Sequence, residues 1–470
     1  MTTTEREKAT EGSTHHSFRR FISEYRTPIL LILLIAFAWR LALVIGFPHA
    51  AGDESRYTVP AVNMLAGHGF SSDQSEPILP SEHTVPGYPL FIAAVYFVFG
   101  QHNSAVRVAQ SAIDLITCVL VAFVSFSLAP PSLKRSAAMS ALMIYGCLSW
   151  FTVSWTRYIL TETLASFLTM LAVAVSLMAF RAERWRWPVV GLICGVALLT
   201  RADSVLLVLA FGLFLSFQIV RRRSAKSFMS LLLFCSTIPV VLAPWIVRNY
   251  IAFGKFQPLA SATGRPHGEY VPDGYIRWLG TWMTDQTYFK AYEPFLFPGL
   301  GTFDPHELPD DTFDSAEERA RVFRLFAQYD QEGKLTPEMS DSFRTIANER
   351  IRRAPMRFFV WLPSQRIAGM WLTGFATTNR FHRLVRILLV LPIIIGGIAG
   401  FVFLTWNSRL GELLVLIILT RTLAFGFINS NEHYIVEAYP PMIAACSLTF
   451  AALWRHLNRL RASTANRHSI

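Results

Sequence analysis

Six stretches of about twenty residues each (28–47, 106–129, 158–180, 228–247, 387–404 and 434–453) are almost continuously apolar. A helix rises about 1.5 Å per residue, so each is long enough to cross a hydrocarbon core of roughly 30 Å. Only helices and closed barrels satisfy every backbone polar group in lipid. Barrel strands alternate apolar and polar residues; these blocks do not, so they are predicted to be helices. With 52% hydrophobic and 16% charged residues among 470, the chain has too little polar surface for a soluble domain of its length.

The net charge of +11 raises a nucleic-acid reading. The basic residues, however, sit in short clusters between the apolar blocks, where the positive-inside rule puts them, and form no stripe on a soluble domain. No nucleic-acid partner is expected. All five cysteines (Cys118, Cys147, Cys194, Cys235, Cys446) fall within apolar blocks without a Cys-x-x-Cys partner, and read as small packing residues.

The clusters Arg19/Arg20/Arg26, Lys134/Arg135, Arg181/Arg184/Arg186, Arg221/Arg222/Arg223/Lys226 and Arg455/Arg459/Arg461 are placed on the cytoplasmic side. Ten spans then follow: 28–47, 106–129, 136–153, 158–180, 188–200, 203–220, 227–247, 385–405, 410–428 and 434–454. Both termini fall inside. Two apolar segments are left over. The segment 87–100 is short and suits an interfacial or re-entrant helix; 356–372, interrupted by Pro363, Gln365 and Arg366, suits a helix lying in the interface. Counting both as spans would make twelve. The expected architecture is an all-α polytopic helix bundle of about 10–12 spans. Its parts are an unstructured cytoplasmic tail (1–27), an N-terminal membrane module (28–248) with a first outer loop (48–105), an outer region (249–383), C-terminal spans (384–455) and a basic tail (456–470). The first apolar block is too long for a signal-peptide core and reads as a retained anchor.

The outer region has its own helical signals and is expected to form a small cap. Asp314-Ser315-Ala316-Glu317 fits a capping box, with Gly333 as the stop of that helix. Thr336-Pro337 starts a second helix that ends before Pro355. The acidic run 304–311 lies among glycine and prolines and reads as a solvated turn. Residues 329–333 lack the ligand spacing of a calcium loop.

Two carboxylates, Asp53 and Glu54, stand just beyond the first span, followed at once by Arg56 and Tyr57. A carboxylate at the lipid–water boundary is able to deprotonate a hydroxyl, and a neighbouring cation to hold a phosphate leaving group. Ordinary interfacial polarity is the competing reading. Within spans, Arg40 and Asp114 are costly in lipid and are expected to form a structural ion pair, whereas Arg421 has no evident partner in the sequence.

The order of short motifs adds to this. Asp53-Glu54 is followed by Ala61–Phe70, ending in Gly-His-Gly-Phe, then by Pro86-Gly87-Tyr88-Pro89 and Val106-Arg107-Val108-Ala109-Gln110. Downstream come Tyr158-Ile159-Leu160-Thr161-Glu162, Leu199-Thr200-Arg201-Ala202-Asp203, and Pro244-Trp245-Ile246-Val247-Arg248-Asn249-Tyr250. Glu432-His433-Tyr434 and Tyr439-Pro440 lie near the end. The chain resembles the polytopic glycosyltransferases of GT-C type that use polyprenyl-phosphate sugars, a group that includes protein O-mannosyltransferases and aminoarabinose transferases of lipid A. The likeness is good over about 28–260 and loose beyond. Ala202 and His433 depart from the family pattern, which has proline and arginine there.

The resemblance implies sugar transfer, with inversion, from a polyprenyl-phosphate donor to an acceptor hydroxyl on a glycan, lipid or protein at the extracytoplasmic face of a membrane, with a bacterial inner membrane the best fit. It implies Asp53 as general base, with Glu54 and Glu162 orienting the acceptor or holding a divalent cation. Arg56, Tyr57, Arg201 and Arg248 would bind the lipid phosphate, since the planar guanidinium grips phosphate through two donors; snorkelling to the interface is the competing reading. Glu82 and His83 are of types that ligate Zn²⁺ or Mn²⁺, against a solvated loop histidine. No other cofactor is implied. A transporter or flippase of lipid-linked sugars is the alternative. It would string ionisable groups along a central pathway and favour broken helices in matched halves, but the sequence holds no internal repeat.

Overall fold

The computed structural model describes residues 17–48, 53–178, 185–260, 270–284, 290–292, 294, 303–373, 380–407, 411–428 and 431–467, and every regular element among them is helical. Among the described residues, seven helices are long and apolar enough to cross a membrane, or eight if the bent pair Lys134–Leu148 and Trp150–Arg157, which meet at 55°, is one span. The chain is a multi-pass membrane protein. It divides into two compact units: one from 1–264, 392–420 and 436–470, the other from 265–391 and 421–435.

The first unit begins with α1 (17–24) and α2 (Arg26–Gly46). The tail is expected to be unstructured as far as Arg26. Residues 1–16 lie outside the described residues, but from 17 onward the chain is helical. Phe18 and Phe21 are buried, and their rings lie 5.2 to 5.7 Å from those of Phe123 and Phe126. Two aromatic side chains one turn apart thus dock a segment whose composition reads as polar.

Next come α3 (Ser55–Leu65), α4 (Gly87–Phe99) and α5 (Asn103–Leu128), then α6 (Lys134–Met143) and α7 (Trp150–Val153). The block expected as one straight span over 136–153 is broken by a π-turn at Ile144–Leu148. A π-turn withdraws carbonyls from the regular ladder, and the Gly146 carbonyl accepts from Arg40 Nη1 at 2.9 Å. Arg40 also meets Asp114 Oδ2 through Nη2 (2.5 Å) and Nε (2.8 Å), while Tyr145 donates to Asp114 Oδ1 at 2.6 Å. The structural ion pair is therefore present, buried and closed on itself.

The helices α8 (Glu162–Leu177) and α9 (Arg186–Thr200) are shorter than a full crossing. They pack against each other and against α5 and α11. Full-length helices follow as α10 (Val205–Arg222) and α11 (Ala225–Phe253). The segment α4, expected as interfacial or re-entrant, is likewise a short apolar helix. At one end of this unit the basic clusters make their contacts: Arg135 with Glu24 at 2.9 Å, and Arg455 with the Ser132 carbonyl at 3.5 Å. The residues of Asp53-Glu54, Glu162 and Arg201 lie at the other end of α5, as its partners below show.

In the second unit, α12 (Asp273–Leu279), α13 (Ala316–Glu332) and α14 (Pro337–Arg353) enclose a core of Tyr275, Trp278, Phe326 and Phe343. Thr336 caps α14 with Pro337 at its first position, and α13 stops at Gly333, as expected. The cap of α13 is one residue later than the sequence suggests: Ser315 accepts from the Glu318 amide. Glu318 wins the position because its buried carboxylate also pairs with Arg350. The run 357–373 alternates π-turns with α15 (Leu362–Ala368) and exposes Met356, Phe359, Val360 and Trp361, as an interfacial helix does. Arg366 is buried and donates to the main-chain oxygens of Gly280 (2.7 Å) and Met283 (2.9 Å). Arg421, partnerless in the sequence, donates to the Tyr434 carbonyl at 2.7 Å and lies over Phe425. The last helices are α16 (Arg380–Asn407), α17 (Gly411–Ile428) and α18 (Tyr439–Arg467). The basic tail thus begins as a continuation of α18.

Candidate active site at the acidic end of the bundle

The adjacent carboxylates of the first motif have opposite surroundings. Asp53 is exposed, and its ion-pair partner among the described residues is Arg56, at 3.5 Å and itself exposed. Such a pair is too solvated to hold either group firmly. Glu54 is buried and opens α3. It accepts from Arg107 Nη2 on α5 through both oxygens, at 3.0 and 3.2 Å, and from the Ile159 amide at 3.2 Å. Arg107 Nε in turn donates to the Arg157 carbonyl at 2.8 Å. One carboxylate therefore ties together α3, α5 and the 154–161 turn, and its neighbour is left accessible. Glu54, expected to orient an acceptor or hold a cation, meets two donors here, Arg107 Nη2 and the Ile159 amide, in three contacts.

Arg201 is the centre of a second, buried cluster. Its Nη1 donates to Glu162 Oε1 (2.7 Å) and Thr161 Oγ1 (3.1 Å), its Nε to both oxygens of Asp203 (2.9 Å each), and Glu437 Oε1 lies 3.6 Å away. Arg201, expected at the lipid phosphate, is a guanidinium ringed by three carboxylates of the chain itself. Glu437, just before α18, was missed in the sequence because nothing local marks it. Glu162 Oε2 is buried and has no hydrogen-bond donor among the described residues. The Glu162 charge is felt by Tyr57, whose phenol is pushed up to about 12 by burial and then by the Glu162 carboxylate. Tyr57 therefore stays a neutral donor at physiological pH. Its ring stands edge-on to Tyr88, 5.1 Å away, and Tyr88 donates to Gln110 Oε1 at 2.5 Å. The Gln110 amide is bonded to the Tyr158 carbonyl at 2.8 Å.

The motif glycines have mechanical reasons. Gly87 packs so tightly that a Cβ there would lie 2.6 Å from the Leu199 carbonyl oxygen, so the start of α4 meets the end of α9 backbone to backbone. Gly67 and Gly69 both have positive φ (84° and 76°), which side chains disfavour, and they turn the chain so that Phe70 comes back to α11. There Arg248 Nη2 donates to the Phe70 carbonyl and Nη1 to the Ser81 carbonyl, both at 2.7 Å, and the guanidinium lies 5.0 Å from the Trp245 ring. Arg248 clasps the first outer loop at two points. Like Arg201, Arg248, expected at the lipid phosphate, has partners within the chain.

Glu82 and His83 are the residue types expected to ligate a divalent cation. Glu82 is buried with Oε1 2.7 Å from Lys255 Nζ, so an ammonium stands where a cation would be held, and among the described residues no three His, Cys, Asp or Glu side chains converge on a point.

Residues 82–247 match the family model described as dolichyl-phosphate-mannose-protein mannosyltransferase. No curated protein matches the chain. Among solved structures it is similar to the oligosaccharyltransferase of Archaeoglobus fulgidus tethered with an acceptor peptide containing the NVT sequon. The identity is 12% and the TM-score 0.53, over 94% of this chain and 51% of that one. The same archaeal enzyme, AglB, in complex with an inhibitory peptide and a dolichol-phosphate matches at 11% identity and TM-score 0.53, over 94% and 52%. ArnT from Cupriavidus metallidurans bound to undecaprenyl phosphate matches at 14% identity and TM-score 0.40, over 90% and 78%. The chain thus has the helical fold of the GT-C glycosyltransferases and spans about half the length of the archaeal enzyme.

Proposed function

We propose that the chain is a membrane glycosyltransferase that moves a sugar from a polyprenyl-phosphate to an acceptor hydroxyl, with inversion, on the non-cytoplasmic side of the membrane. The observation that carries this reading is the split at the first motif: Glu54 is locked to Arg107 and Ile159, and Asp53 beside it is left exposed at the end of the bundle. The match of 82–247 to a mannosyltransferase family model supports the donor class, as do archaeal structures that hold a dolichol-phosphate in one case and an acceptor peptide in another. The sidedness rests on the positive-inside rule, with the Arg135 and Arg455 end cytoplasmic.

In this reaction Asp53 takes the proton of the acceptor hydroxyl as its oxygen bonds to the anomeric carbon. The bond from that carbon to the phosphate oxygen breaks, and the lipid phosphate leaves with the electron pair. Attack from the face opposite the phosphate inverts the centre. Arg56, exposed and only loosely paired with Asp53, is the proposed partner of the departing phosphate, which it meets by swinging away from Asp53, and Tyr57 offers a neutral donor. The interior charges support an enzyme over a transporter, since Arg40 and Asp114 satisfy each other instead of lining a path.

The Asp53→Asn variant tests the proposal. Removing a general base costs about 10²–10⁴-fold in rate. Purified D53N protein should bind the lipid donor and melt with the wild type, yet lose sugar transfer by that factor. Transfer near the wild-type rate would remove Asp53 from the mechanism.

A further inference from the structure

The cations around the acidic motif differ in what already occupies them. Arg107 is held by Glu54, Arg201 by Glu162 and Asp203, and Lys255 by Glu82; Arg248 is bonded to two main-chain oxygens. Arg157 is different. Among the described residues it has no carboxylate partner: its guanidinium lies 4.9 Å from the Tyr158 ring, and Nη2 donates to the Tyr158 hydroxyl at 2.8 Å. Its Nε is buried without any acceptor. A buried guanidinium donor left unmet is an unfavourable arrangement unless something arrives to accept from it.

Its place in the fold says where that acceptor would sit. Arg157 ends the short helix Ser154–Arg157 beyond the bend, and its own carbonyl receives Arg107 Nε while Arg107 holds Glu54. Arg157 is thus fixed two contacts from the residue adjoining Asp53. Resting on the glycosyltransferase reading, we infer that Arg157 is a phosphate-binding residue of this site: its Nε–H and the free face of its guanidinium receive the phosphate of the lipid donor. Stacking on Tyr158 holds the planar fork in one orientation, which suits two-point recognition of a phosphate oxygen pair. Tyr158 keeps the cation in place without neutralising it, as a carboxylate would.

Farnesyl phosphate and farnesol serve as probes, since they share the chain and differ in the phosphate. Losing a charged hydrogen-bond pair corresponds to about ten- to hundredfold in affinity. The full-length Arg157→Gln protein in detergent should bind farnesyl phosphate that much more weakly, with farnesol unchanged and Arg157→Lys intermediate. In the wild-type protein, farnesyl phosphate should protect Arg157 from phenylglyoxal, read by peptide mass spectrometry, so the answer does not depend on a variant that folds. Unchanged affinity in a folded R157Q protein, or labelling of Arg157 that farnesyl phosphate does not slow, overturns the inference. A protein that protects Arg157 but transfers no sugar from any lipid-phosphate donor would keep the binding residue and defeat the proposed function instead.

Discussion

Arg107 Nη2 lies 3.0 Å from Glu54 Oε1 with both side chains about nine-tenths buried, so the residue next to Asp53 is fixed by a cation from another helix. Breaking such a pair from one side leaves an uncompensated buried charge, at a cost of about 3–5 kcal/mol. We expect Arg107→Met to lower the unfolding free energy by that order, and the double variant Glu54→Met/Arg107→Met to recover most of it. Sugar transfer should stay low in both, because α3 is no longer anchored where Asp53 needs it. Thermal unfolding of the purified proteins in detergent gives the comparison. An R107M protein that melts with the wild type would show the pair to be incidental.

Much of this arrangement is legible from the sequence, and the exceptions share a cause. Spans follow from apolar length, and the Arg40–Asp114 pair from the cost of charge in lipid. The second-unit helix starting at Thr336 follows from its cap and proline, which are local signals. What stays hidden is partner choice over long separations. Glu437 joins Arg201, Arg248 reaches back to Phe70 and Ser81, and Arg107 takes Glu54; none of these pairs shares a helix or a turn. A motif shows that an arginine is present and says nothing about whether its donors are already taken. That is why Arg201 and Arg248 read as phosphate clamps from sequence and as internal ties in the fold. The docked helix at 17–24 is a smaller case, visible only in the one-turn spacing of Phe18 and Phe21.

The environment of Tyr57 makes stability fall in alkali in a defined window. An unfolded tyrosine ionises near pH 10, whereas burial and the Glu162 carboxylate hold the folded phenol at about 12. Below pH 10 both states keep the proton and the stabilisation is fully present. Between 10 and 12 only the unfolded chain ionises, so the native state loses stability as the pH rises. Other groups titrate in the same range, so the quantity to read is the difference between wild type and Tyr57→Phe in melting temperature at pH 9, 10 and 11. The wild type should lose ground relative to Y57F across the series. Parallel curves would mean that Tyr57 does not feel the field assigned to it.

Arg248 offers a choice between two physical roles with different readouts. As a clasp it satisfies the buried carbonyls of Phe70 and Ser81, and leaving such groups unmet costs about 1–3 kcal/mol each. That energy is local to the first outer loop, so Arg248→Met should speed hydrogen exchange of the amides in 67–85 by about tenfold or more. Exchange in α5 and α8 should stay as in the wild type. Farnesyl phosphate binding should weaken only to the extent that the loop loosens, and Arg248→Lys, which cannot fork to both carbonyls, should loosen it partly. As a phosphate clamp, by contrast, Arg248 would act on the ligand directly. R248M would then abolish farnesyl phosphate binding while exchange in 67–85 stayed unchanged, and that result would return Arg248 to the phosphate and dismiss the clasp.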